Sequence, residues 1–459
     1  MTVARYPSYT AGGAEWLGDV PSHWRLLRLR FVAEFNPSKS EVASLPKETE
    51  VSFVPMEAVG DDGSLDLSRL RAIGDVETGY TYFRNGDVTF AKITPCFENG
   101  KGAIMRGLAE GIGFGTTELI VARPRRDRTV SDYLHWLFTS PAFRKLGEAA
   151  MYGAGGQKRV PDDFVKNFRI AFPPLPEQRA IAAFLDRETG KIDALVEEQR
   201  RLIELLKEKR QAVISHAVTR GLDPNAKMKD SGVEWLGAVP ESWNVGALKH
   251  FVIPRAGAIK TGPFGSQLTS TEMEAGEIKV YNQRNVIDDD FDGGENFITE
   301  KKFAALSSFE TFPGDLLVTT RGTIGRAAIL PESAAKGILH PCLLRVQPDR
   351  SKLDTKFLAI LIQDSDLIRT QIDLMSNATT IEVIYSGTMA SLIVPLPPVA
   401  DQVRIVEFLS EMNQSTARLK SEAEAAIALL QERRSALIAA AVTGKIDVRG
   451  LAPAESEAA

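Results

Sequence analysis

Two stretches of this chain keep a helical rhythm of apolar and polar residues for far longer than an ordinary helix needs. In the first, Leu185, Ile192, Leu195, Leu202, Leu206 and Val213 recur in a heptad-like register. In the second, Leu409, Met412, Leu419, Ala426, Leu430 and Leu437 do the same. Charged runs such as "EEQRR" and "QERRS" lie between the apolar positions, as on the solvated flanks of a coiled-coil seam. Pro-Pro pairs at 173–174 and 397–398 stand at the start of each stretch. Proline is excluded from a helix interior but suits its first turn. Pro176 still falls in that first turn; beyond it no proline occurs until Pro224, and none after Pro398 until Pro453. The pattern predicts two helices of about 43 residues, roughly 65 Å each at 1.5 Å per residue. Such helices are too polar to fold well alone, so the two stripes are expected to pack together.

The two stretches are copies of one another. "PPLPEQRAIAAFLD" from Pro173 aligns with "PPVADQVRIVEFLS" from Pro397, 224 positions later, and the match runs without a gap to Asp223 and Asp447. A second phrase also returns: "GAEWLGDVPSHW" near Gly13 and "GVEWLGAVPESW" near Gly232, with Glu15 and Glu234 219 positions apart. The chain is therefore one unit of about 220 residues used twice. Between the matching ends the two copies differ strongly. A weak echo survives there: "NGDVTFAKITPCFENGKGAIM" from Asn85 and "PGDLLVTTRGTIGRAAIL" from Pro313 each read as turn, β-rich run, glycine-containing basic loop and strand.

These phrases resemble the specificity subunits of type I restriction–modification systems. The resemblance is carried by "SGVEWLGAVPESW" opening a variable region, "IAFPPLPEQRAIAAFLD" leaving one, "LLKEKRQAVISHAVTRGLD" closing a helix, and "KTGPFGSQL" from Lys260. It covers nearly the whole chain in the family's order. It implies an α+β fold: two globular α/β target recognition domains separated by two long antiparallel coiled-coil helices, in a pseudo-twofold repeat. The expected divisions are an N-terminal segment and first recognition domain at 1–172, the first helix at 173–222, a linker and second recognition domain at 223–396, the second helix at 397–447, and a disordered tail at 448–459. The resemblance further implies double-stranded DNA as ligand, two methyltransferase subunits docked on the helices, and restriction subunits in the full complex. S-adenosylmethionine, ATP and Mg would belong to those partners alone. Two unlike domains on a dyad would read two unlike half-sites on opposite strands, so the target is expected to be bipartite and asymmetric. The competing reading is a coiled-coil scaffold or adaptor with two binding domains and no DNA role.

Composition adjusts this picture modestly. The chain has 459 residues, 44% of them hydrophobic and 25% charged, as expected of a globular protein of two to four domains. No apolar run approaches the roughly 20 residues that span a bilayer, and the N-terminus lacks a secretory pattern, so a cytoplasmic location is expected. Cys96 and Cys342 are too far apart and too unlike in context to suggest a disulfide or zinc site. The net charge of −5 argues against a free-standing nucleic-acid binder. Sharing the DNA grip with partner subunits accounts for that balance.

Catalytic motifs are missing. Asn36-Pro37 and Asp223-Pro224 do not continue into the Pro-Pro-aromatic run of an adenine methyltransferase. "YGAGGQK" at 152–158 has no convincing helix after it and reads as a loop, and no Walker-type sequence occurs. The five histidines are scattered, and "PDD" at 161–163 reads as a turn. The chain is expected to be non-catalytic.

Candidate DNA contacts come from basic and amide side chains beside glycines, which suit phosphates, guanine edges and adenine edges. In the first half they are Lys92, Thr94, Asn99 and Lys101, with Gln157, Lys158 and Arg159 in a second loop. In the second half they are Thr320, Arg321, Thr323 and Arg326, with Gln267, Gln283, Arg284 and Asn285. The polar run "SNATTIEVIY" from Ser376 is the weaker counterpart of the second loop, and "RPRRDR" from Arg123 reads as a surface turn.

Overall fold

The computed structural model describes residues 4–154, 156–375 and 383–451. The run from Ser376 to Glu382 and the tail from 452 lie outside the described residues. The chain divides into two compact units, Met1–Arg200 with Glu424–Ala459, and Arg201–Ala423. Both Pro-Pro pairs do initiate long helices: Leu175–Arg220, of 46 residues, and Val399–Val442, of 44. Each unit therefore contains one globular domain and part of both helices.

Within each unit the two helix segments run antiparallel. In the first, Ile181 and Leu185 share a core with Ile438 and Ala441. Further along, Arg434 Nε donates to Asp193 Oδ1 at 2.8 Å. In the second unit, Ile214 and Ala217 share a core with Ile405 and Leu409. There Arg210 Nε donates to Asn413 Oδ1 at 2.8 Å. Arg210 and Arg434 are matching positions of the repeat, 224 residues apart. The seam differs in phase from the predicted stripe. Leu195, Leu202 and Leu419 are exposed. The inward face of the first helix instead runs through Ile192, Val196, Gln199, Ile203 and Leu206, at alternating steps of four and three. A half-buried glutamine there hides the true seam from a count of apolar residues alone.

The two globular domains share one topology although their sequences diverge. The first has a mixed sheet ordered Leu70–Ala72, Glu50–Val54, Ile112–Gly115, Thr81–Arg84, with the middle pair parallel. Beside it is an antiparallel sheet ordered Ala33–Phe35, Leu119–Pro124, Val88–Ala91, Gly102–Ile104. The second domain repeats both. Its mixed sheet runs Phe297–Ile298, Ile278–Tyr281, Gly337–Leu339, Glu310–Thr311, again with a parallel middle pair. Its antiparallel sheet runs Ile259–Thr261, Leu343–Val346, Leu316–Thr319, Ala327–Ile329. A helical pair follows in each, Ser131–Thr139 with Pro141–Ala150, and Thr355–Gln363 with Asp366–Met375, and then a short helix, Asp162–Asn167 or Ser386–Ser391. A two-stranded ribbon then ties the domain's start to its end: Arg25–Arg28 pairs with Arg169–Phe172, and Asn244–Ala247 with Ile393–Leu396. The weak "NGD/PGD" echo has a physical basis. Asp87 and Asp315 each accept from the backbone three residues earlier, at Arg84 (2.9 Å) and Phe312 (2.8 Å). Each also binds a buried side chain, Arg123 in the neighbouring strand and Gln347 just after the corresponding one, at 2.8 Å. Arg123 is thus a buried ion-pair partner and not part of the surface turn, which begins at Arg125.

The doubled Trp-containing phrase caps the long helices. The first helix ends at Gly221 (φ +79°), and Trp243 and Pro240 lie over it. The second ends near Gly444 (φ +71°), and Pro21 and Trp24 lie over it. At both sites the left-handed backbone suits glycine. At Gly444 a Cβ would come within 2.4 Å of Pro21. The phrase at the chain's beginning therefore caps the helix at its end, and Asp447 N–H donates to the Ala4 carbonyl at 2.8 Å. Val448 is fully buried in the same core and Leu451 packs on it, so residues 448–451 belong to the folded unit and not to the expected disordered tail.

Candidate nucleic-acid interface

In the first domain, two loops that are separate in sequence become one surface. Thr94 N–H donates to the Lys158 carbonyl at 3.0 Å, and Val160 N–H to the Lys92 carbonyl at 2.9 Å. This joins "AKITP" to "GAGGQKRV". Gln157, Lys158 and Asn99 are exposed. Lys92 is half-buried and lines an open depression of about 410 Å³ with Lys39, Tyr80 and Thr117. The other candidates have internal tasks. Thr94 Oγ1 donates to Glu98 at 2.9 Å, and Lys101 Nζ to the Met56 carbonyl at 3.2 Å. Arg159 is held by both oxygens of Glu118 at 2.7 and 2.9 Å. That guanidinium keeps the Glu118 carboxyl below the usual carboxylate range.

In the second domain, the Gln283 side chain donates to the Arg321 carbonyl, so two more distant stretches meet. Arg321, Thr323 and Arg326 are exposed, and Arg284 is 89% exposed with Asp288 beside it at 3.4 Å. Gln267 accepts from Phe264 N–H at 3.0 Å and so fixes its own loop. Two candidates are corrected. Asn285 is buried, closing a capping box with Asn282 and holding the carbonyls of Asp290 and Gly293 at 2.8 and 2.9 Å. Thr320, just after the strand Leu316–Thr319, is fully buried. Neither side chain reaches a ligand on the surface. Phe264, 70% exposed, and Tyr385, 51% exposed, border a depression of about 280 Å³ with Arg321. Sequence reading passed over both aromatics because glycine and proline around Phe264 mark only a turn.

No group of His, Cys, Asp or Glu among the described residues is arranged to hold a metal ion. No described helix is long and apolar enough to cross a membrane.

Comparison with known proteins agrees with this architecture. The family model for the type I restriction modification DNA specificity domain matches twice, at residues 69–205 and 259–428. The EcoAI specificity subunit of Escherichia coli is 49% identical over 165 residues, 36% of this chain and 27% of that protein. The chain thus matches about a quarter of the length of that relative. The putative MjaX specificity subunit of Methanocaldococcus jannaschii is 22% identical over 451 residues, 94% of this chain and 96% of that one. Two solved structures share the fold. A chain from a study of assembly and conformational transition of the type I restriction–modification system has a TM-score of 0.69 at 19% identity, covering 92% of this chain and 98% of that one. The HsdS subunit from Thermoanaerobacter tengcongensis has a TM-score of 0.58 at 20% identity, covering 95% of this chain and all of that one. The two matched segments make up more than half of the chain, and it belongs to the type I restriction–modification DNA specificity family.

Proposed function

We propose that this chain is the DNA-recognition subunit of a type I restriction–modification complex. Its two globular domains read the halves of a bipartite, asymmetric target, and its long helices dock two methyltransferase subunits, with restriction subunits completing the nuclease. The chain itself is non-catalytic and works in the cytoplasm. S-adenosylmethionine, ATP and Mg belong to the partners.

The observation that carries this reading is the pairing of one scaffold with two different surfaces. The domains have the same strand order, yet Lys92 and Lys158 crown one, and Arg321, Arg326 and Phe264 the other. A shared scaffold with different exposed side chains is what two unlike half-sites require. Docking is supported by exposed leucines at matching repeat positions, Leu195 with Leu419 and Leu205 with Leu429. Each matched pair is 224 residues apart. Two equivalent apolar spots suit two copies of one partner.

The experiment compares DNA binding by the chain alone and in complex with its methyltransferase subunit. At net charge −5, the chain alone supplies few counterion-releasing contacts. It should bind weakly and with little selectivity at moderate salt, whereas the complex binds one duplex tightly. Tight selective binding by the isolated chain would refute the shared grip.

A further inference from the structure

The two depressions described above occupy the same place in the two domains. Each is bounded by the turn that leaves the edge strand of the antiparallel sheet, Asn36–Lys39 in one and Gly262–Gly265 in the other. Each has an aromatic ring one residue before a strand of the mixed sheet, Tyr80 before Thr81–Arg84 and Phe309 before Glu310–Thr311. Each has a cationic residue just after the same inner strand, Lys92 after Val88–Ala91 and Arg321 after Leu316–Thr319.

The backbone of that turn is pinned in the same manner. Asn36 N–H donates to the Val121 carbonyl and Gly262 N–H to the Leu343 carbonyl, both at 2.8 Å. Pro37 and Pro263 are buried behind it. At Gly262 a Cβ would lie 2.1 Å from the His340 carbonyl oxygen, so only glycine lets the turn pass there. The side chains beyond the pinned backbone differ completely. Ser38 and Lys39 stand exposed in the first domain, and Phe264 in the second. A rigid frame with exchangeable contents marks a place where specificity changes without harm to the fold.

We propose that this depression is where each domain reads base-pair edges of duplex DNA, the first through Lys92, the second through Arg321 and Phe264. This inference rests on the recognition role proposed above and assigns it to one location. Lysine and arginine suit the guanine acceptors N7 and O6, and an aromatic ring suits the thymine methyl. Glu118 already holds Arg159 and Asn285 closes a loop, so neither serves as a primary reader. The second domain is expected to read at least one guanine through Arg321.

The test is competition binding by the assembled methyltransferase complex. Duplexes bearing its target are compared with duplexes substituted at single base pairs in either half. Arg321→Ala and Arg321→Lys should each reduce discrimination at one position of the second half by about 5-fold or more, leaving the first half unchanged. Phe264→Leu should relax the same half. Lys92→Ala should relax only the first half. Retained discrimination in both halves, in variants that assemble normally, overturns the proposal while leaving the recognition role standing. Loss of assembly with unchanged discrimination also overturns it and makes the depression a protein-docking surface. A parent complex that selects no duplex overturns the recognition role itself.

Discussion

The side-chain amide of Gln178 donates to the carbonyl of Pro173, five residues back, at 2.9 Å. The same amide nitrogen reaches the Arg128 carbonyl at 2.9 Å, and its oxygen accepts from Thr129 Oγ1 at 2.8 Å. In the second copy, Gln402 repeats the arrangement with Pro397 at 2.8 Å, Lys352 at 2.7 Å and Asp354 N–H at 2.7 Å. Both glutamines are fully buried. One side chain thus stitches the end of a recognition domain to the first turn of its long helix and to the loop before the domain's helical pair. That is why "PPLPEQ" and "PPVADQ" keep their prolines and their glutamine through the divergence between them.

Removing that amide takes the donor from two carbonyls, Pro173 and Arg128 in the first copy and Pro397 and Lys352 in the second. At about 1–3 kcal/mol for each orphaned group, Gln178→Ala and Gln402→Ala should each destabilise their unit by roughly 2–4 kcal/mol. Thermal unfolding of each variant checks this. A Tm equal to wild type would show that water replaces the amide.

The helix caps predict a ranking. Gly444→Ala combines a left-handed backbone with a contact of 2.4 Å to Pro21, whereas the nearest approach at Gly221 is 3.1 Å to the Trp243 ring. Both variants should lose stability, Gly444→Ala by more than about 1 kcal/mol and Gly221→Ala by less than Gly444→Ala. Denaturant unfolding midpoints measure the order, and a reversed order would contradict the packing described at the chain's beginning.

His135 sets a pH dependence. Burial first, and the nearby Arg144 cation second, hold its pKa down to about 4. An unfolded histidine titrates near about 6.5. As pH falls, the unfolded state therefore takes up the proton first, and stability declines between about 6.5 and 4. His135→Gln should show a shallower decline of Tm over that window, while the carboxylates, common to both proteins, contribute equally. Parallel Tm–pH curves for the two proteins would refute the assignment.

The exposed leucines predict an assembly defect. Leu205 is 50% and Leu429 66% exposed, so Leu205→Glu and Leu429→Glu should leave the fold intact. If they are docking anchors, each should weaken association with the methyltransferase subunit by about 10-fold or more, as truncated interface hot spots do. Calorimetric titration of one subunit into the other reads this directly, and unchanged affinity would move docking to another face.

The long helices and the doubled unit were legible because they depend on local rules: proline at a helix start, glycine at its end and a sustained heptad. The phase of the seam was less legible, because Gln199 and Arg210 take half-buried inward positions that a search for leucines skips. The sheets were nearly invisible. Their strands are short, and a parallel pair such as Glu50–Val54 with Ile112–Gly115 joins residues about 60 positions apart. Among candidate contacts, charge drew attention to Lys92, Arg159 and Arg321 alike. It could not show that Glu118 holds Arg159, or that Thr320 is buried. Asn285 looked like an exposed adenine reader in the sequence, and only the capping box it forms with Asn282 shows its structural task. Phe264 stands out only once the turn around it is seen to be fixed.

The central claim is that two unlike domains on one repeated scaffold read two unlike half-sites. The measurement that tests it most directly is long-read mapping of methylated bases in cells expressing this chain with its methyltransferase subunit. The predicted result is a split, asymmetric motif modified once in each half, on opposite strands. No new methylation, despite a stable complex with that subunit, would contradict the claim and leave a scaffold without a DNA-reading role.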